Sequence, residues 1–453
     1  MFPDKMLLLY FTLLTWFTLA LGRSGLQVVP FLQYLTGKAF GGPNKAFELD
    51  VLNVNTCNYS NLADSSAEGQ ETTLRQVLLI HRHGDRTVVN LPRKDKLANE
   101  SFWDFHGYGQ LTNRGKARLH LLGQLTRKRY EKFINRSVNK NMRFTRSSGS
   151  LRCVESAQVF LSSFLPLDAS RSSLDANSLE WDSGCNMLGT LWQPSSLQTM
   201  AIPLDGMLAE GAKCPALDRE YDDVIDKTFE ARLISEEFRK EAEVLKEVLD
   251  YDVDYFYKWY WISGKLEVER SYFGDRLDRR ILDIYDRVQE AGRIALMLHQ
   301  STVTSKRLKG GLLINDMIKN MKSYREQSEA PQQNRVPKKI MHYVSHDLNV
   351  LVLLGMLDNV RRYPFGPHYA AHIIFELHQD GSEWFVKCFY MPHVPSKLNE
   401  VHIDACEVDH PKRLCTLDKL EQIMQPYIIK NWLEWMGECG NDLYTINPYT
   451  PNH

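Results

Sequence analysis

The stretch "VLLIHRHGDRTVV", residues 77–89, places two histidines, two arginines and an aspartate directly behind an aliphatic run. The run Gln76–His81 is short, rich in β-forming residues and bounded by polar ones, which predicts a buried strand. A strand is a rigid support, and rigidity matters when charged groups must meet a ligand in a fixed geometry. We therefore expect the polar residues behind this strand to form part of a binding site.

Strand and helix patterns alternate along the chain. Thr112 can cap a helix whose leucines recur at helical spacing, and residues 141–148 predict a second strand. The segment 340–358 repeats the plan of an apolar strand, a polar cluster and an apolar helix, and a hairpin that turns at Asp380–Gly381 follows. This alternation predicts an α/β fold with a mainly parallel sheet that is flanked by helices.

Residues 205–325 have a different pattern. Long amphipathic helical stretches cover 218–249 and 279–300 with little strand signal between them, which predicts a smaller all-α domain inserted into the α/β fold. The polar segment Tyr324–Lys339 contains two prolines and is the predicted return linker. The expected parts are a signal peptide (1–22), an N-terminal extension (23–72), a first α/β part (73–190), a mostly helical insertion (191–334) and a second α/β part (335–453).

The N-terminus has the pattern of a secretory signal, because Lys5 precedes an apolar run that ends in small residues before Gly22. The alternative is an uncleaved membrane anchor, although the run is short for a span. With the signal cleaved, we expect no stable membrane span and a secreted or lysosomal protein. Asn58, Asn99 and Asn135 are predicted glycosylation acceptors.

The charge balance limits the classes of partner. The chain has 55 Lys and Arg residues against 56 Asp and Glu, so its net charge of -1 creates no global field that favours nucleic acid or an anionic membrane. Any anion must then bind at a local cluster. The eight cysteines include no C-x-x-C pair, which favours disulfides over zinc.

Three predicted strands end in polar clusters, "HRHGDR", "TRSS" and "SHD". Ligands bind at the carboxyl ends of the strands in such a sheet, so these clusters should meet. Several arginines suit a tetrahedral dianion, since each guanidinium binds two oxygens. A histidine among these cations can stay neutral and nucleophilic, while an acid protonates the departing oxygen. This set of arginines, a histidine and an acid predicts hydrolysis of phosphate monoesters without a metal or another cofactor.

The sequence resembles the histidine acid phosphatases, most closely those of the prostatic and lysosomal type. "RHGDR" is similar to their signature, and "GYGQLTNRG", "TRSSGSLRCVESAQVFLSSFLP", "KRLKGGLLINDMIKNM" and "HYVSHDLNV" follow in family order. The resemblance covers most of residues 74–440. It implies a phosphoglycerate-mutase-like α/β fold, metal-independent acid phosphatase activity on small-molecule or protein phosphomonoesters, and a homodimer.

The resemblance also implies a role for each matched residue. His83 is the nucleophile that forms a phosphohistidine, and Asp347 is the proton donor to the leaving group. Gly84 allows a close approach at the tight turn between strand and helix. The remaining matched residues are the phosphate-binding Arg82, Arg86, Arg146 and His346, and Arg152, which is expected to support the site from behind them.

The chain departs from the family pattern at Val88, Gly149 and the pair Leu348–Asn349, where the family has proline, aspartate and threonines. These departures leave the assigned chemical groups in place and put the substrate and the rate in doubt. Two alternatives therefore stay open. One is a catalytically weak or inactive secreted binding protein of the same fold. The other is a phosphoglycerate-mutase-like phosphotransferase, which the signal peptide and the helical insertion disfavour.

Several residues have simpler interpretations. His81 and His342 are expected to be buried strand histidines, and Arg143 to be exposed. The aromatic run Tyr255–Gly264 is more typical of a helical core than of a substrate platform. The family bridges correspond to two cysteine pairs in this chain, and a third pair with Cys57 is our own assignment. The expected set is Cys214–Cys439, Cys406–Cys415 and Cys57–Cys388, with Cys153 and Cys185 paired or free.

Overall fold

The computed structural model of the chain describes residues 72–89, 92, 94–96, 107–135, 142–165, 195–330, 336–357, 366–407 and 414–442. The predicted signal peptide and all but the last residue of the predicted N-terminal extension lie outside these ranges. So do the predicted glycosylation acceptors Asn58 and Asn99, whereas Asn135 ends a helix at the edge of a described range.

A seven-stranded sheet lies at the centre of the described residues. Its strands are β1 (Leu74–Arg82), β2 (Arg143–Ser147), β3 (Ile340–Ser345), β4 (His372–Asp380), β5 (Glu383–Met391), β6 (Asn399–Glu400) and β7 (Cys415–Thr416). The order is β2-β3-β1-β4-β5-β6, and β7 pairs with β5. Strands β1, β2 and β3 run parallel, whereas β4 and β5 form the predicted antiparallel hairpin with its turn at Asp380–Gly381. The sheet is therefore mixed. Its parallel part contains the three strands that were predicted to end in polar clusters.

Twelve α-helices occur in the described ranges. They are α1 (Asn113–Asn135), α2 (Leu151–Phe164), α3 (Pro215–Arg219), α4 (Phe229–Glu237), α5 (Arg239–Leu249), α6 (Phe256–Phe273), α7 (Arg279–Leu298), α8 (Val303–Glu329), α9 (Asp347–Met356), α10 (Asp404–Glu407), α11 (Leu417–Met424) and α12 (Trp432–Cys439). As predicted, the side chain of Thr112 caps α1, because its Oγ1 accepts the N–H of Gly115 at 3.1 Å.

Strand β1 is buried on both faces because its side chains alternate between two hydrophobic clusters. Leu78 and Ile80 pack in a cluster with α8 and α9, whereas Val77 and Leu79 pack on the opposite face with α1 and α2. A fully buried aliphatic side chain contributes roughly 1.5–3 kcal/mol to stability. The aliphatic run of β1 thus fixes the strand in the middle of the sheet, and the polar residues behind it sit on an immobile support.

The described residues between β2 and β3 are mostly helical, as the sequence predicted, although the first amphipathic stretch is divided. It contains α3, a π-helical turn at Glu220–Ile225, α4 and α5, whereas the second stretch forms the single helix α7. Helix α8 continues to Glu329, so the predicted return linker begins later than Tyr324. Leu348 of α9 packs against Leu296 and Met297 of α7, which joins the helical segment to the sheet. The predicted domain boundaries themselves stay predictions.

Two disulfides agree with the expected pairs. Cys214 is bonded to Cys439 across a separation of 225 residues, and Cys406 is bonded to Cys415 across nine. The first joins the residue before α3 to the end of α12. None of the helices in the described residues is long and apolar enough to cross a membrane.

The expected bridge between Cys57 and Cys388 is wrong. Cys388 is a free, buried cysteine in the middle of β5, and its side chain packs within the hydrophobic cluster that also contains Leu78 and Phe375. Burial in this apolar setting raises the pKa of its thiol, which opposes formation of the reactive thiolate. Cys153 is also free and buried, and Cys57 and Cys185 lie outside the described residues.

Candidate active site

The carboxyl ends of β1, β2 and β3 meet at one edge of the sheet. Arg82 and Ser345 are partners in the parallel register, and the N–H of His83 donates to the carbonyl oxygen of Ser345 at 3.0 Å. The N–H of Ser148 donates in the same way to Val344 at 2.9 Å. These backbone bonds bring the three predicted polar clusters together.

His83 is buried and has a defined tautomer. Its Nδ1 lies 2.8 Å from the carbonyl oxygen of Gly84, and a carbonyl only accepts, so Nδ1 carries the ring proton. The lone pair is therefore on Nε2. Burial lowers the pKa of His83 well below 6.5, and the positive charges of Arg152 and Arg82 lower it further. The ring is thus a neutral imidazole whose Nε2 carries the lone pair.

Two glycines hold the turn behind His83 against helix α1. A Cβ atom on Gly84 would lie 2.7 Å from the carbonyl oxygen of Gly115, and one on Gly115 would lie 2.3 Å from that of Asp85. The N–H of Gly84 also donates to Ser156 of α2 at 3.2 Å. The close approach predicted for Gly84 therefore exists, and it fixes the direction of the His83 ring.

Val88 occupies the position of the family proline, and hydrogen bonds fix the loop there. The N–H of Gly109 donates to the carbonyl oxygen of Val88 at 2.7 Å, and the N–H of Thr87 donates to that of Gln110 at 3.0 Å. Val88 itself is completely buried. The loop is thus held by its neighbours without the fixed φ angle that proline would supply.

Arg82 and Asp347 form a buried ion pair, with 2.8 Å between Nη2 and Oδ2. The Nη1 of Arg82 donates to the carbonyl oxygen of Pro367 at 2.8 Å, and its guanidinium lies over the ring of Tyr369. Burial opposes the charge of Arg82, but Asp347, Tyr369, Tyr260 and Glu267 together outweigh it and raise the pKa of Arg82. Asp347 opens helix α9 and also accepts the N–H of Leu348 at 2.8 Å. The predicted acid is thus held next to a predicted phosphate-binding arginine.

His346 lies beside His83, with 5.4 Å between the ring centroids. A guanidinium only donates, so the Nδ1 that faces Nη2 of Arg152 at 3.4 Å accepts. The Nε2–H then donates to Oγ of Ser148 at 3.1 Å. Glu210 lies 3.5 Å from the same Nδ1, which would require the opposite tautomer. Burial and the charge of Arg152 lower the pKa of His346 well below 6.5, so we assign the neutral form that accepts from Arg152.

Arg146 and Arg152 are not placed as expected. Arg146 was expected to bind phosphate, and Arg152 to support the site from behind. Arg146 is not brought to the cluster, because its Nη2 donates to Asp205 at 2.7 Å and its Nη1 lies 3.1 Å from the sulfur of Met207. Arg152, at the start of α2, contacts His346 and is the charge that lowers the pKa of His83 most. The placement of Arg146 as a phosphate ligand is therefore wrong. Its side chain leaves β2 on the face where Asp205 is buried.

Arg86 is close enough to act on the same site. It is half-buried, its Nη1 donates to the carbonyl oxygen of Thr87 at 3.1 Å, and its charge also lowers the pKa of His83. Asp85, between these residues, has a structural role instead. Arg118 binds its carboxylate in a bidentate pair with distances of 2.6 and 3.1 Å.

Three residues of this site were not identified from the sequence. Tyr260 of α6 donates from its hydroxyl group to Asp347 at 3.0 Å, and Glu210 lies next to His346 and Arg152. Burial raises the pKa of Glu267, and the charges of Arg82 and Arg86 oppose this effect. Tyr260 and Glu267 are seven residues apart on one face of a helix, which is a readable signal. Glu210 lies outside any helix or strand, and no periodicity marks it.

The simpler interpretations of the other histidines hold. His81 and His342 are buried strand residues, and their Nε2 atoms are 2.9 Å apart. Arg143 is half-buried rather than exposed. Among the described residues, no group of three His, Cys, Asp or Glu side chains is arranged to hold a metal ion.

A mixed α/β sheet with a histidine, arginines and an acid at the ends of its parallel strands defines a phosphatase-type fold and site. The chain belongs to the histidine phosphatase superfamily, branch 2, whose family model matches residues 73–391. The resemblance read from the sequence is therefore confirmed.

Curated relatives agree with this assignment. The chain is 28% identical to prostatic acid phosphatase of Rattus norvegicus over 387 residues, which cover 82% of this chain and 92% of that protein. It is 26% identical to lysosomal acid phosphatase of Xenopus laevis over 401 residues, which cover 84% and 82%.

Solved structures share the fold. A Hafnia alvei phytase in complex with myo-inositol hexakis sulphate superposes with a TM-score of 0.52 at 12% identity and covers 79% of this chain and 97% of that chain. The phytase from Citrobacter braakii gives a TM-score of 0.51 at 13% identity and covers 81% and 98%. At these low sequence identities, the similarity shows a shared fold and nothing about activity.

Proposed function

We propose that the protein is an acid phosphatase that hydrolyses phosphate monoesters through a phosphohistidine intermediate on His83, with Asp347 as the proton donor. The observation that carries the proposal is the neutral, buried His83, whose Nδ1 is fixed by Gly84 and whose surroundings are cationic. The names of the relatives support the same activity. The neighbourhood of the arginines suits a dianionic phosphoryl group.

The proposed reaction has two displacements. In the first, Nε2 of His83 attacks phosphorus, the bond to the leaving oxygen breaks, and Asp347 gives that oxygen a proton. In the second, water attacks the phosphohistidine, the P–N bond breaks, and the proton lost by water returns to Asp347. Inorganic phosphate then leaves. Atoms and charge balance without a metal or another cofactor.

Four groups are proposed to bind the transferring phosphoryl group: Arg82, Arg86, Arg152 and His346. Arg152 replaces Arg146 in this set because of its contact with His346 and its effect on His83. Positive charge that is already in place stabilises the equatorial oxygens as charge develops on them. The bidentate geometry of guanidinium favours such oxygens over a spherical anion.

The proposed setting is an oxidising compartment outside the cytosol, either the extracellular space or the lysosomal lumen. Two disulfides and the apolar N-terminal run support this setting. The acidic lumen is compatible with His83, since the lowered pKa keeps its imidazole neutral below pH 6.5.

The test is the release of inorganic phosphate from p-nitrophenyl phosphate at about pH 5, where an unperturbed histidine would be protonated. We expect turnover that resists EDTA and is abolished by His83→Ala. His120→Ala, which changes an exposed histidine on α1, is the matched control and should retain activity. Activity lost in EDTA and restored by Mg²⁺ would refute the metal-independent mechanism. A sugar-phosphate acceptor tests the phosphotransferase alternative, and phosphate binding without turnover would identify a binding protein.

A further inference from the structure

The hydroxyl group of Tyr260 lies between two carboxylates. It is 3.0 Å from Oδ1 of Asp347 and 3.2 Å from Oε1 of Glu210. Tyr260 projects from α6, Glu210 lies in the segment before α3, and Asp347 opens α9, so three separate parts of the chain meet at one oxygen atom. The distance to Asp347 is that of an ordinary O–H···O hydrogen bond, and the distance to Glu210 is slightly longer.

A count of protons shows what this arrangement requires. A phenol has one hydrogen to donate, and an ionised carboxylate only accepts. Tyr260 can therefore satisfy one carboxylate, and the other forms a hydrogen bond only if it carries a proton and donates to the phenol oxygen. Ionisation of Tyr260 would not solve this, because burial and the neighbouring Asp347 raise its pKa well above 10. The geometry thus fits one additional proton shared by the two carboxylates.

We propose that Tyr260 and Glu210 are positioning residues that hold a proton for Asp347, so that Glu210 reprotonates Asp347 through the Tyr260 hydroxyl. The inference deepens the proposed function and rests on it. It gives Asp347 a proton supply on the protein side, away from the substrate.

The transfer balances as two linked proton shifts. The carboxyl group of Glu210 gives its proton to the oxygen of Tyr260 while the Tyr260 hydroxyl gives its own proton to Oδ1 of Asp347. Glu210 becomes a carboxylate, Tyr260 is unchanged, and Asp347 becomes the neutral acid that protonates the leaving oxygen. When water attacks the phosphohistidine, its released proton restores the shared proton.

The charges around Asp347 explain why such a supply is useful. Arg82 forms an ion pair with Oδ2 of Asp347, and Asp347 must carry a proton to act as a general acid. The charged or titratable groups that face the triad (Asp347, Tyr260 and Glu210) are Arg82, Arg152, His346, His299, Lys309, Glu267 and Tyr257. A proton that Tyr260 shares between Asp347 and Glu210 removes one of two adjacent negative charges, which would otherwise repel each other.

Glu210 is itself fixed in place. The buried Nζ of Lys309 donates to the carbonyl oxygen of Ala209 at 2.9 Å and contacts that of Glu210 at 3.5 Å. Arg152 lies 3.8 Å from the Glu210 carboxylate, so the same cation faces both His346 and Glu210. The triad is thus connected to the phosphate-binding residues on one side and to α8 on the other.

The experiment compares pH profiles of kcat on an alkyl phosphate and on p-nitrophenyl phosphate for the wild type, Tyr260→Phe and Glu210→Gln. We expect the alkaline limb for the alkyl phosphate to move to lower pH by about one unit in both variants, and kcat near neutral pH to fall roughly 10- to 100-fold. The loss on p-nitrophenyl phosphate should be much smaller, since this leaving group needs little protonation.

Tyr255→Phe is the matched control, because it removes a hydroxyl group from the residue before α6, whose acidic neighbours Asp222, Asp254 and Asp226 are not part of the triad. Its profile should coincide with that of the wild type. If the pH profiles of Tyr260→Phe and Glu210→Gln also coincide with that of the wild type while His83→Ala is inactive, proton transfer through the triad is refuted and the proposed function stands. If the wild type has no turnover, both the proton transfer and the proposed function are refuted.

A proton inventory on the wild type keeps the inference testable should a variant fail to fold. Two linked shifts predict a curved dependence of kcat on the deuterium fraction of the solvent for the alkyl phosphate. A straight line would refute the transfer through Tyr260.

Discussion

His83 combines burial with nearby positive charge, and both factors keep its imidazole neutral. The sign of this effect fixes the pH behaviour of the proposed nucleophile. A base with a lowered pKa loses its proton at a lower pH, so the reactive form persists into the acidic range. An acid phosphatase requires this combination, because its proton donor works best where an ordinary histidine would already be charged.

Asp347→Asn should separate substrates by their leaving groups. A general acid matters most when the departing alkoxide is basic, and its removal typically costs 10²–10⁴-fold. We expect a loss of roughly this size for an alkyl phosphate and a much smaller one for p-nitrophenyl phosphate, measured as kcat on each. Equal losses on both substrates would remove Asp347 from the role of proton donor.

Arg152→Gln should move the acidic limb of kcat/KM to higher pH. Among the charges around His83, Arg152 lowers its pKa most, so its removal raises that pKa and protonates the nucleophile at a higher pH. Inhibition by inorganic phosphate should weaken about tenfold or more as one bidentate contact is lost. The measurements are a pH profile and an inhibition constant for phosphate.

Arg146→Gln is the control for this prediction, since its guanidinium is bound by Asp205. It should leave the acidic limb in place and lower the melting temperature, because a buried carboxylate loses its partner at a cost of roughly 3–5 kcal/mol. If Arg146→Gln moved the limb and Arg152→Gln did not, the original assignment of Arg146 would be restored.

At the scale of elements, the turn from β1 to α1 determines where His83 points. Gly84→Ala should reduce kcat and lower the melting temperature, because the new methyl group would collide with the backbone of Gly115. Backbone atoms cannot rotate away as a flexible side chain can. Displacement of the turn would also weaken the 2.8 Å bond between His83 and Gly84 that sets the tautomer.

Gly264→Ala, in the interior of α6, is the matched substitution in open space. Apart from its chain neighbours and the backbone of its own helix, no atom lies within 4 Å of its added methyl group, and alanine favours a helix by roughly 0.8–1 kcal/mol over glycine. We expect unchanged kcat and equal or higher stability, measured by thermal unfolding. A Gly84→Ala variant as stable and as active as Gly264→Ala would contradict the packing argument for the turn.

The sequence predicted those features that a local pattern encodes. Strand β1, the cap at Thr112 and the turn at Asp380–Gly381 depend on neighbouring residues, and all three are present. Arg146 and Arg152 could not be distinguished in this way. Both are arginines close to the turn between β2 and α2, and tertiary contacts distinguish them, because Arg146 binds Asp205 and Arg152 contacts His346.

The position of Glu210 depends on tertiary contacts and not on a local sequence pattern. Its segment has no regular structure, and it reaches the site because Lys309 of α8 and Tyr260 of α6 hold it there. The aromatic run that contains Tyr260 was interpreted as helical core. Trp259 is indeed buried, but Tyr260 contacts Asp347. One run of residues thus serves both packing and the site.

At the scale of the whole molecule, the proposed site is shared between the sheet and the helical segment. His83 directly follows strand β1 of the sheet, and Asp347 opens the helix behind β3, while α6 supplies Tyr260. Leu348, which replaces a family threonine, packs against α7 at this contact. The positions of the proposed nucleophile, acid and proton store are therefore linked to how the helical segment is held against the sheet.

The disulfide between Cys214 and Cys439 should be the larger stabilising crosslink of the two. In the chain-entropy model, a loop that closes 225 residues contributes about 5 kcal/mol, whereas a loop of nine contributes about 2.5 kcal/mol. We therefore expect the double variant Cys214→Ser/Cys439→Ser to lose roughly twice as much free energy of unfolding as Cys406→Ser/Cys415→Ser. Reversible denaturant unfolding under oxidising conditions measures both losses. Because Cys214 precedes α3 and Cys439 ends α12, the first variant should also lose activity at a lower denaturant concentration than the second. Equal losses of stability would show that native packing, rather than closure of the long loop, determines the contribution of the bridge.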